Sequence, residues 1–416
     1  MKQFVTAVPL FTTDMSVEAY QLRYQDSSKL FGLSDDHTML DGIMNSPGLD
    51  ILNNVGIEPF TGGEPIFLPV NPYMLLSNFA DSCQIPPNLL VPVLSKDMPL
   101  KEIYFQKCYE LTKAGFRLAI PEFELTHLAS LLYNMASFVL LNAKDPECLD
   151  NFKRIRNKYP KITVVFQNVD DMEMFKNLKE MSNCLYEGSF YNIPVDQTNN
   201  KVSPLRTNAL RLLKIMGEEN IDFDLDEVSD IIQKDAALSI ALLKFINSPV
   251  IGISNKVTSI KNAIALLGQK ETRKWTIACV TMYVAEDSPS ELTRISLTRA
   301  KYTENLATAF EMGIHAPSLF LMGLFSLLDV ILDKPMKEAL EEVSVSDTIR
   351  EALAFGKGEF VDVLDLVNAY EKADWKVVSR IMLLRNIDPH KLNQAFVDSL
   401  VWYRQLLDNL NTEDED

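Results

Sequence analysis

The chain has 416 residues, enough for two or three domains with a sizeable hydrophobic core. Its net charge of -17 disfavours nucleic acid and anionic membranes as partners, because phosphate groups are bound by basic surfaces. The five cysteines are dispersed and show no C-x-x-C spacing, which predicts reduced thiols and a cytoplasmic location. The longest apolar stretch, residues 319–332, is interrupted by Ser326 and Asp329 and is too short to span a bilayer.

Short apolar runs alternate with helical patterns through residues 1–197. The apolar runs predict strands at residues 4–11, 17–24, 64–70, 89–94, 116–120, 137–142 and 161–166. The helical patterns lie at residues 73–82, 100–114, 125–133, 147–158 and 172–181. This alternation is typical of βα units with a mainly parallel sheet, and the number of units favours a closed α/β barrel.

After a polar linker at residues 198–204, the sequence is helical in pattern almost to its end. The predicted all-α domain covers residues 205–410, and residues 411–416 form an acidic tail. Its helices are predicted at residues 226–234, 235–246, 259–267, 270–285, 296–312, 318–332, 345–354, 360–372, 375–384 and 390–410. The fold class is therefore α/β plus all-α.

The clearest helix start and stop signals of the chain lie in residues 235–268. Asp235 is a good N-cap, Asn247-Ser248-Pro249 ends the first helix, and Gly268 ends the second. The pattern D-x-x-L-S-x-x-L-L-x-x-x-N-S, a loop, and S-I-x-x-A-I-x-x-L-G resembles the HDOD domain, a helical signalling module related to HD-type phosphohydrolases. The loop is interpreted as a structural stop, with a partner-contacting surface as the alternative.

The resemblance to HD-type hydrolases also allows their metal site to be checked. A working site needs an upstream histidine and an adjacent His-Asp pair around a metal. The corresponding positions are occupied by Arg299, Ser326 and Leu327. The resemblance therefore implies a helical domain without this metal chemistry. The pattern G-L-x-S-x-L-D at residues 323–329 further resembles proteins that pair an HDOD domain with an EAL domain.

The order of elements in residues 1–195 resembles that EAL domain, a barrel that hydrolyses cyclic diguanylate (cyclic di-GMP). Tyr20-Gln21-Leu22-Arg23-Tyr24-Gln25 corresponds to the family's Y-E-L-L-Y-R. Residues 113–120 match its L-x-x-x-G-x-x-L-A-L strand, and Leu185-Tyr186-Glu187-Gly188 matches its closing Q-G. The resemblance implies a TIM-type barrel with a site at its mouth.

The family's chemistry uses two divalent cations held by carboxylates. The positions that correspond to its site residues are Gln21, Gln25, Asn71, Pro121, Glu122, Leu140, Asn142, Gln167 and Glu187. Most of these side chains are neutral, so the sequence predicts a pseudoenzyme with no catalytic residues, metal or cofactor. Gln25 stands in place of the family's phosphate-contacting arginine, which argues against cyclic diguanylate binding.

The sequence thus predicts a bacterial, cytoplasmic signal-transduction protein with a degenerate EAL-like barrel followed by an HDOD domain. We expect it to act through protein partners of a signalling pathway or as a homodimer, without nucleic acid or membrane. Asp235, Asn247, Ser248 and Pro249 mark the candidate partner surface. The alternative function is a cyclic diguanylate receptor or a weak cyclic diguanylate phosphodiesterase.

Overall fold

The chain divides into two compact units. One unit comprises residues 1–193 and 368–393, and the other comprises residues 194–367 and 394–416. The computed structural model describes residues 3–26, 47–77, 79–192, 211–216, 223–234, 238–239, 242–243, 246–247, 257–284, 290–343 and 345–411. The predicted linker at 198–204 lies outside the described residues, and the domain limits stay a prediction.

The first unit contains a closed barrel in which the eight strands follow one another in chain order. The strands are β1 Gln3–Phe11, β2 Val17–Asp26, β3 Ile66–Val70, β4 Leu90–Leu94, β5 Ala119–Pro121, β6 Phe138–Asn142, β7 Thr163–Gln167 and β8 Cys184–Tyr186. Strand β1 runs antiparallel to β2 and β8, and the remaining pairs are parallel. The predicted barrel with a mainly parallel sheet is confirmed, although three-residue β8 is too short to show a strand pattern in the sequence.

Helices connect the parallel strands on the outside of the barrel. They are α1 Pro47–Val55, α2 Glu58–Thr61, α3 Pro72–Leu76, α4 Phe79–Ser82, α5 Glu102–Lys113, α6 His127–Met135, α7 Cys148–Lys158 and α8 Met172–Leu178. The prediction of one helix over residues 73–82 is wrong. Ser77 has extended backbone angles, which end α3 after one turn.

The barrel interior is filled by the inward side chains of alternate strand residues. These form one buried cluster of Leu10, Ala19, Phe67, Val91, Val93, Ala119, Phe138, Leu140, Val165 and Leu185. Because side chains alternate with a period of two, residues two positions further along β2, β7 and β8 also face inward. Those positions are Gln21 within β2, Gln167 at the end of β7 and Glu187 directly after β8.

Part of the C-terminal region completes the barrel unit. The Phe4 ring of β1 lies 5.9 Å from the Tyr370 ring and 5.8 Å from the Trp375 ring, measured between centroids. The Tyr370 hydroxyl accepts a hydrogen bond from the Val5 amide at 3.3 Å and donates one to Asn393 Oδ1 at 3.1 Å. Aromatic packing and a satisfied buried hydroxyl therefore hold residues 368–393 on the first strand.

The second unit is helical. The helices after the barrel are α9 Leu225–Gln233, α10 Ile260–Val284, α11 Ser290–Leu306, α12 Ala316–Phe325, α13 Leu328–Leu332, α14 Met336–Ala339, α15 Asp347–Phe355, α16 Val361–Glu371, α17 Trp375–Arg385 and α18 Pro389–Asn411. Helix α17 lies in the first unit, and α16 and α18 each have residues in both units. Gly268 interrupts α10 with non-helical angles (φ 73°, ψ 170°), at the predicted helix end. Within the described residues, no helix is both long and apolar enough to cross a membrane.

Helices α11 and α12 pack closely against each other. Every residue of α12 from Ser318 to Phe325 is buried. The prediction of one helix over 318–332 is wrong, because the backbone of Leu327 leaves helical geometry (φ -120°, ψ 17°) between α12 and α13. At Gly323 the two helices approach so closely that a Cβ atom would lie 2.5 Å from Thr303 Oγ1 and 2.6 Å from the Arg299 carbonyl oxygen.

This contact predicts a steric effect of Gly323→Ala. We expect the variant to lower the free energy of unfolding by about 1–3 kcal/mol, because backbone atoms of α11 cannot move aside without shifting the helix. Gly313→Ala is the matched control, since nothing lies within 4 Å of its Cβ position. Chemical denaturation of both variants measures the difference, and an equal effect of the two substitutions would contradict the proposed close contact.

Candidate functional site

Polar side chains converge at the barrel mouth, where the parallel strands end. We call this set the mouth cluster; it consists of Gln21, Arg23, Asn142, Gln167, Asn168 and Glu187. Arg23 shares the inward face of β2 with Gln21, since the two residues are two positions apart. In barrels of this kind, ligands bind at this end, because the loops that follow the strands meet there.

A buried ion pair spans one side of the mouth cluster. Arg23 Nη2 donates to Glu187 Oε1 at 2.9 Å, and the side chains of Arg23 and Glu187 are 30% and 5% exposed. Burial raises the pKa of the Glu187 carboxyl, while the charge of Arg23 and the Asn168 amide oppose this rise. The guanidinium thus supplies the counter-charge for a carboxylate that is almost removed from water.

Primary amides form the remainder of the mouth cluster. Gln167 Nε2 donates to Gln21 Oε1 at 3.0 Å, and Asn168 Nδ2 donates to Asn142 Oδ1 at 3.0 Å. Strands β2 and β7 are not neighbours, so the first of these bonds crosses the barrel mouth. Each amide carries two N–H donors and a carbonyl acceptor, which leaves bonding capacity beyond these pairs.

Local backbone geometry brings the end of β7 next to the end of β8. The Glu187 amide donates to the Phe166 carbonyl at 2.8 Å, and the Val169 amide donates to the Glu187 carbonyl at 2.9 Å. Asn168 has a positive φ of 62°, a conformation that asparagine adopts more readily than most residues. Gly188 is required beside it, because a Cβ atom there would lie 1.9 Å from the Val169 carbonyl oxygen.

Other positions that correspond to the family's site have structural roles. Asn71 caps α3, with its Oδ1 accepting a hydrogen bond from the Met74 amide at 2.8 Å. Leu140 belongs to the buried core of the barrel. Gln25 and Pro121 lie in strands β2 and β5. The side chain of Asn71 is thus engaged locally, and Leu140 contributes apolar packing.

Glu122 lies beside a separate pocket on the rim of the barrel. The pocket has a volume of about 490 Å³, and its lining includes Lys96, Glu122, Asp145 and Arg154. Burial raises the pKa of Glu122 and the charge of Asp145 adds to the rise, whereas Lys96 and Arg154 oppose it. This carboxyl is therefore part of a mixed-charge rim pocket.

The mouth cluster does not fit a carboxylate-held pair of cations, the group that the EAL resemblance implies. In the described part of the chain, no group of three or more His, Cys, Asp or Glu side chains is arranged to hold a metal ion. The Glu187 carboxylate already accepts from Arg23. Amide oxygens and one engaged carboxylate supply too little negative charge for two hard divalent cations.

The three positions of the HD-type site lie together in the helical unit. Arg299 Nη1 donates to Ser326 Oγ at 2.9 Å, and Ser326 Oγ donates to the Gly323 carbonyl at 2.7 Å. The neighbouring Leu327 is buried. Burial raises the pKa of Asp329, and the charge of Arg299 opposes the rise. A guanidinium, a hydroxyl and an apolar side chain thus stand at the predicted positions.

The HDOD motif is only partly covered by the described residues. Asp235, Ser248 and Pro249 lie outside them. Asn247 Nδ2 donates to the Leu243 and Val257 carbonyls at 2.7 and 2.8 Å, and Asn247 Oδ1 accepts from the Val257 amide at 2.7 Å. One side chain thus connects residues 247 and 257 in both directions, and the partner-contacting surface stays a prediction.

Sequence reasoning missed Arg23 and Asn168 as members of the mouth cluster. Arg23 falls between Gln21 and Gln25, two of the family's signature positions. Its signal was available, because a charged residue two positions after Gln21 shares the inward face of β2. Asn168 follows β7 directly, where an asparagine is typical of a turn with positive φ.

The ion pair predicts non-additive effects of substitution at Arg23 and Glu187. We expect Arg23→Met to lower the free energy of unfolding by about 1–3 kcal/mol, because the buried carboxylate loses its counter-charge. Adding Glu187→Gln removes the charge and should restore most of the loss. Denaturation of both single variants and the double variant measures the coupling, and additive effects would show that the pair does not interact in solution.

Asn247 predicts a stability effect in the helical unit. Asn247→Ala should lower the free energy of unfolding by about 1–3 kcal/mol, since the substitution leaves the Val257 backbone groups without this partner. Asn262→Ala is the control, because the Asn262 side chain is exposed on α10. Thermal melting of the two variants tests this expectation. Equal melting temperatures of Asn247→Ala and Asn262→Ala would contradict it.

Comparison with known proteins found a matching domain family and related sequences. The HDOD domain family matches residues 203–354. The chain is 27% identical to the uncharacterized protein YuxH of Bacillus subtilis over 98% of this chain and 100% of that protein. It is 26% identical to the cyclic di-GMP phosphodiesterase CdgJ of Vibrio cholerae over 76% of this chain and 74% of that protein.

Solved structures with similarity to this chain include EAL domains. An EAL domain protein from Listeria monocytogenes has 14% identity and a TM-score of 0.35, over 46% of this chain and 87% of that chain. The FimX EAL domain of Xanthomonas citri, solved with cyclic di-GMP, has 10% identity and a TM-score of 0.36, over 49% and 91%. These scores are too low to carry an argument, and the fold assignment rests on the closed barrel itself.

The similarity to CdgJ corrects one prediction. The prediction that this chain is not an enzyme is wrong, because a relative that matches three quarters of the chain is a phosphodiesterase. The motifs, the closed barrel and the family match agree on the architecture: the chain is a two-domain protein in which an EAL-like barrel is followed by an HDOD domain.

Proposed function

We propose that this chain is a cyclic diguanylate signalling protein whose barrel recognises the dinucleotide at the mouth cluster. The similarity to CdgJ is the observation that carries this proposal. The aligned length of 323 residues exceeds the length of either predicted domain, so the similarity extends into both. A relative named as a cyclic di-GMP phosphodiesterase, with similarity over this length, supports the same ligand here.

The chemistry of the mouth cluster supports this ligand. A guanine base offers several hydrogen-bond donors and acceptors at its edges, which primary amides can bind in pairs. Gln21, Gln167, Asn142 and Asn168 supply these amides.

The output of this protein is contact with a protein partner of the same pathway or with a second copy of the chain. The HDOD domain is the proposed site of that contact. Ile314 and Phe355 of the helical unit expose 88% and 55% of their surfaces and are candidate contacts. A cytoplasmic location fits this role, since all five cysteines are free thiols.

Hydrolysis of cyclic diguanylate is the second candidate function. CdgJ is a cyclic di-GMP phosphodiesterase, and its similarity to this chain favours the same reaction. The mouth residues do not fit the metal pair of the family, so no catalytic step is assigned to them. Formation of the linear dinucleotide by the purified chain is the direct measure of this candidate.

Binding at the mouth cluster is tested by calorimetric titration of the full chain with cyclic diguanylate. We expect saturable binding, and we expect Gln21→Ala with Gln167→Ala to weaken it about tenfold, a loss of roughly 1.4 kcal/mol, because two base-binding amides are removed. Gln106→Ala on the outer helix α5 is the control and should leave affinity unchanged. The titrated samples are then assayed for the linear dinucleotide.

Absence of binding by folded wild-type protein would overturn the proposed function. Binding without product would establish recognition by the barrel. Binding with product would establish the second candidate as well.

A further inference from the structure

We infer that Arg23 binds a phosphodiester of the ligand directly, so that recognition at the mouth cluster needs no metal ion. This inference rests on the proposed function and names the group that recognises the anion. It assigns Arg23 a binding role in addition to its ion pair with Glu187.

The exposure of the two partners supports this role. Glu187 is almost completely buried, whereas 30% of the Arg23 side chain remains exposed at the open end of the barrel. A guanidinium has five N–H donors, and the bond to Glu187 uses Nη2. The group is therefore anchored at one edge, while its remaining donors are available for the planar, two-pronged contact that phosphate accepts.

The charge balance of the mouth cluster also supports anion binding by Arg23 without a metal ion. Arg23 and Glu187 cancel, and the other four members are neutral amides. A site made of several carboxylates repels a phosphodiester unless cations are bound between them. The mouth cluster has one carboxylate, which lies behind a guanidinium. The other donors of the mouth cluster are N–H groups of the guanidinium and the amides, and such groups bind an anion without a bridging metal.

Two residues of this chain, Arg23 and Glu187, differ from the EAL sequence patterns in a complementary way. In the patterns Y-E-L-L-Y-R and Q-G, leucine stands where this chain has Arg23 and glutamine stands where it has Glu187. These two residues are 164 positions apart, yet their side chains meet at 2.9 Å. A carboxylate buried without a counter-charge is strongly destabilising. Each change therefore compensates the other, and together they place a fixed positive group at the mouth.

The alternative is that the ion pair is purely structural. That role predicts an effect on stability and none on affinity once the protein is folded. The double variant Arg23→Met with Glu187→Gln separates the two roles, because it removes both charges and leaves no unpaired carboxylate. Arg23→Lys is a second variant that keeps the ion pair but replaces the planar fork with a single ammonium group.

The experiment is calorimetric titration of the full chain with cyclic diguanylate, in EDTA and in magnesium or manganese. We expect wild-type affinity to agree within about twofold between the conditions. The double variant should lose at least about tenfold in affinity and Arg23→Lys several-fold. Arg117→Met is the matched control, because Arg117 precedes β5 at the opposite end of the barrel. Circular dichroism melting verifies that each variant is folded.

The outcomes distinguish this inference from the proposed function. Binding that requires added metal, or equal binding by wild-type and the folded double variant, would overturn the role of Arg23 and leave the proposed function standing. Absence of wild-type binding in every condition would overturn both. Metal-independent binding that is lost with Arg23 and kept in Arg117→Met would establish the inference.

Discussion

Closure of the barrel is the constraint on which the candidate site depends. Strand β1 runs antiparallel between β2 and β8, and this pairing brings the second strand near the last two. Inward side chains of β2 can then reach β7 and the end of β8. The Gln21–Gln167 hydrogen bond and the Arg23–Glu187 ion pair both result from that closure. In an open sheet, the second and eighth strands would be too far apart for these contacts.

The chemistry of the mouth follows from the cost of burying charge. Glu187 lies where water is almost excluded, so it requires a counter-charge, and Arg23 supplies it. The amides beside them are paired with each other, which satisfies part of their hydrogen-bonding capacity and leaves further donors.

In the helical unit, too, polar side chains are hydrogen-bonded where elements of the chain meet. The close approach of α11 and α12 at Gly323 brings Arg299 next to Ser326. In the HDOD motif, Asn247 bonds to Val257 in both directions and so connects two positions that are ten residues apart. These contacts give structural roles to residue positions at which a related hydrolase would hold a metal or a partner would bind.

Local sequence patterns determined the elements and the domain pair. Short apolar runs predicted most of the strands, and Gly268 marked a helix end, because these signals depend on neighbouring residues alone. Two motifs identified the EAL-like and HDOD domains for the same reason. The breaks at Ser77 and Leu327 and the short strand β8 escaped prediction, since their sequences carry no local stop or alternation. Only the tertiary structure brought Arg23 to Glu187, because residues 164 positions apart meet through strand pairing and barrel closure, which no local pattern encodes.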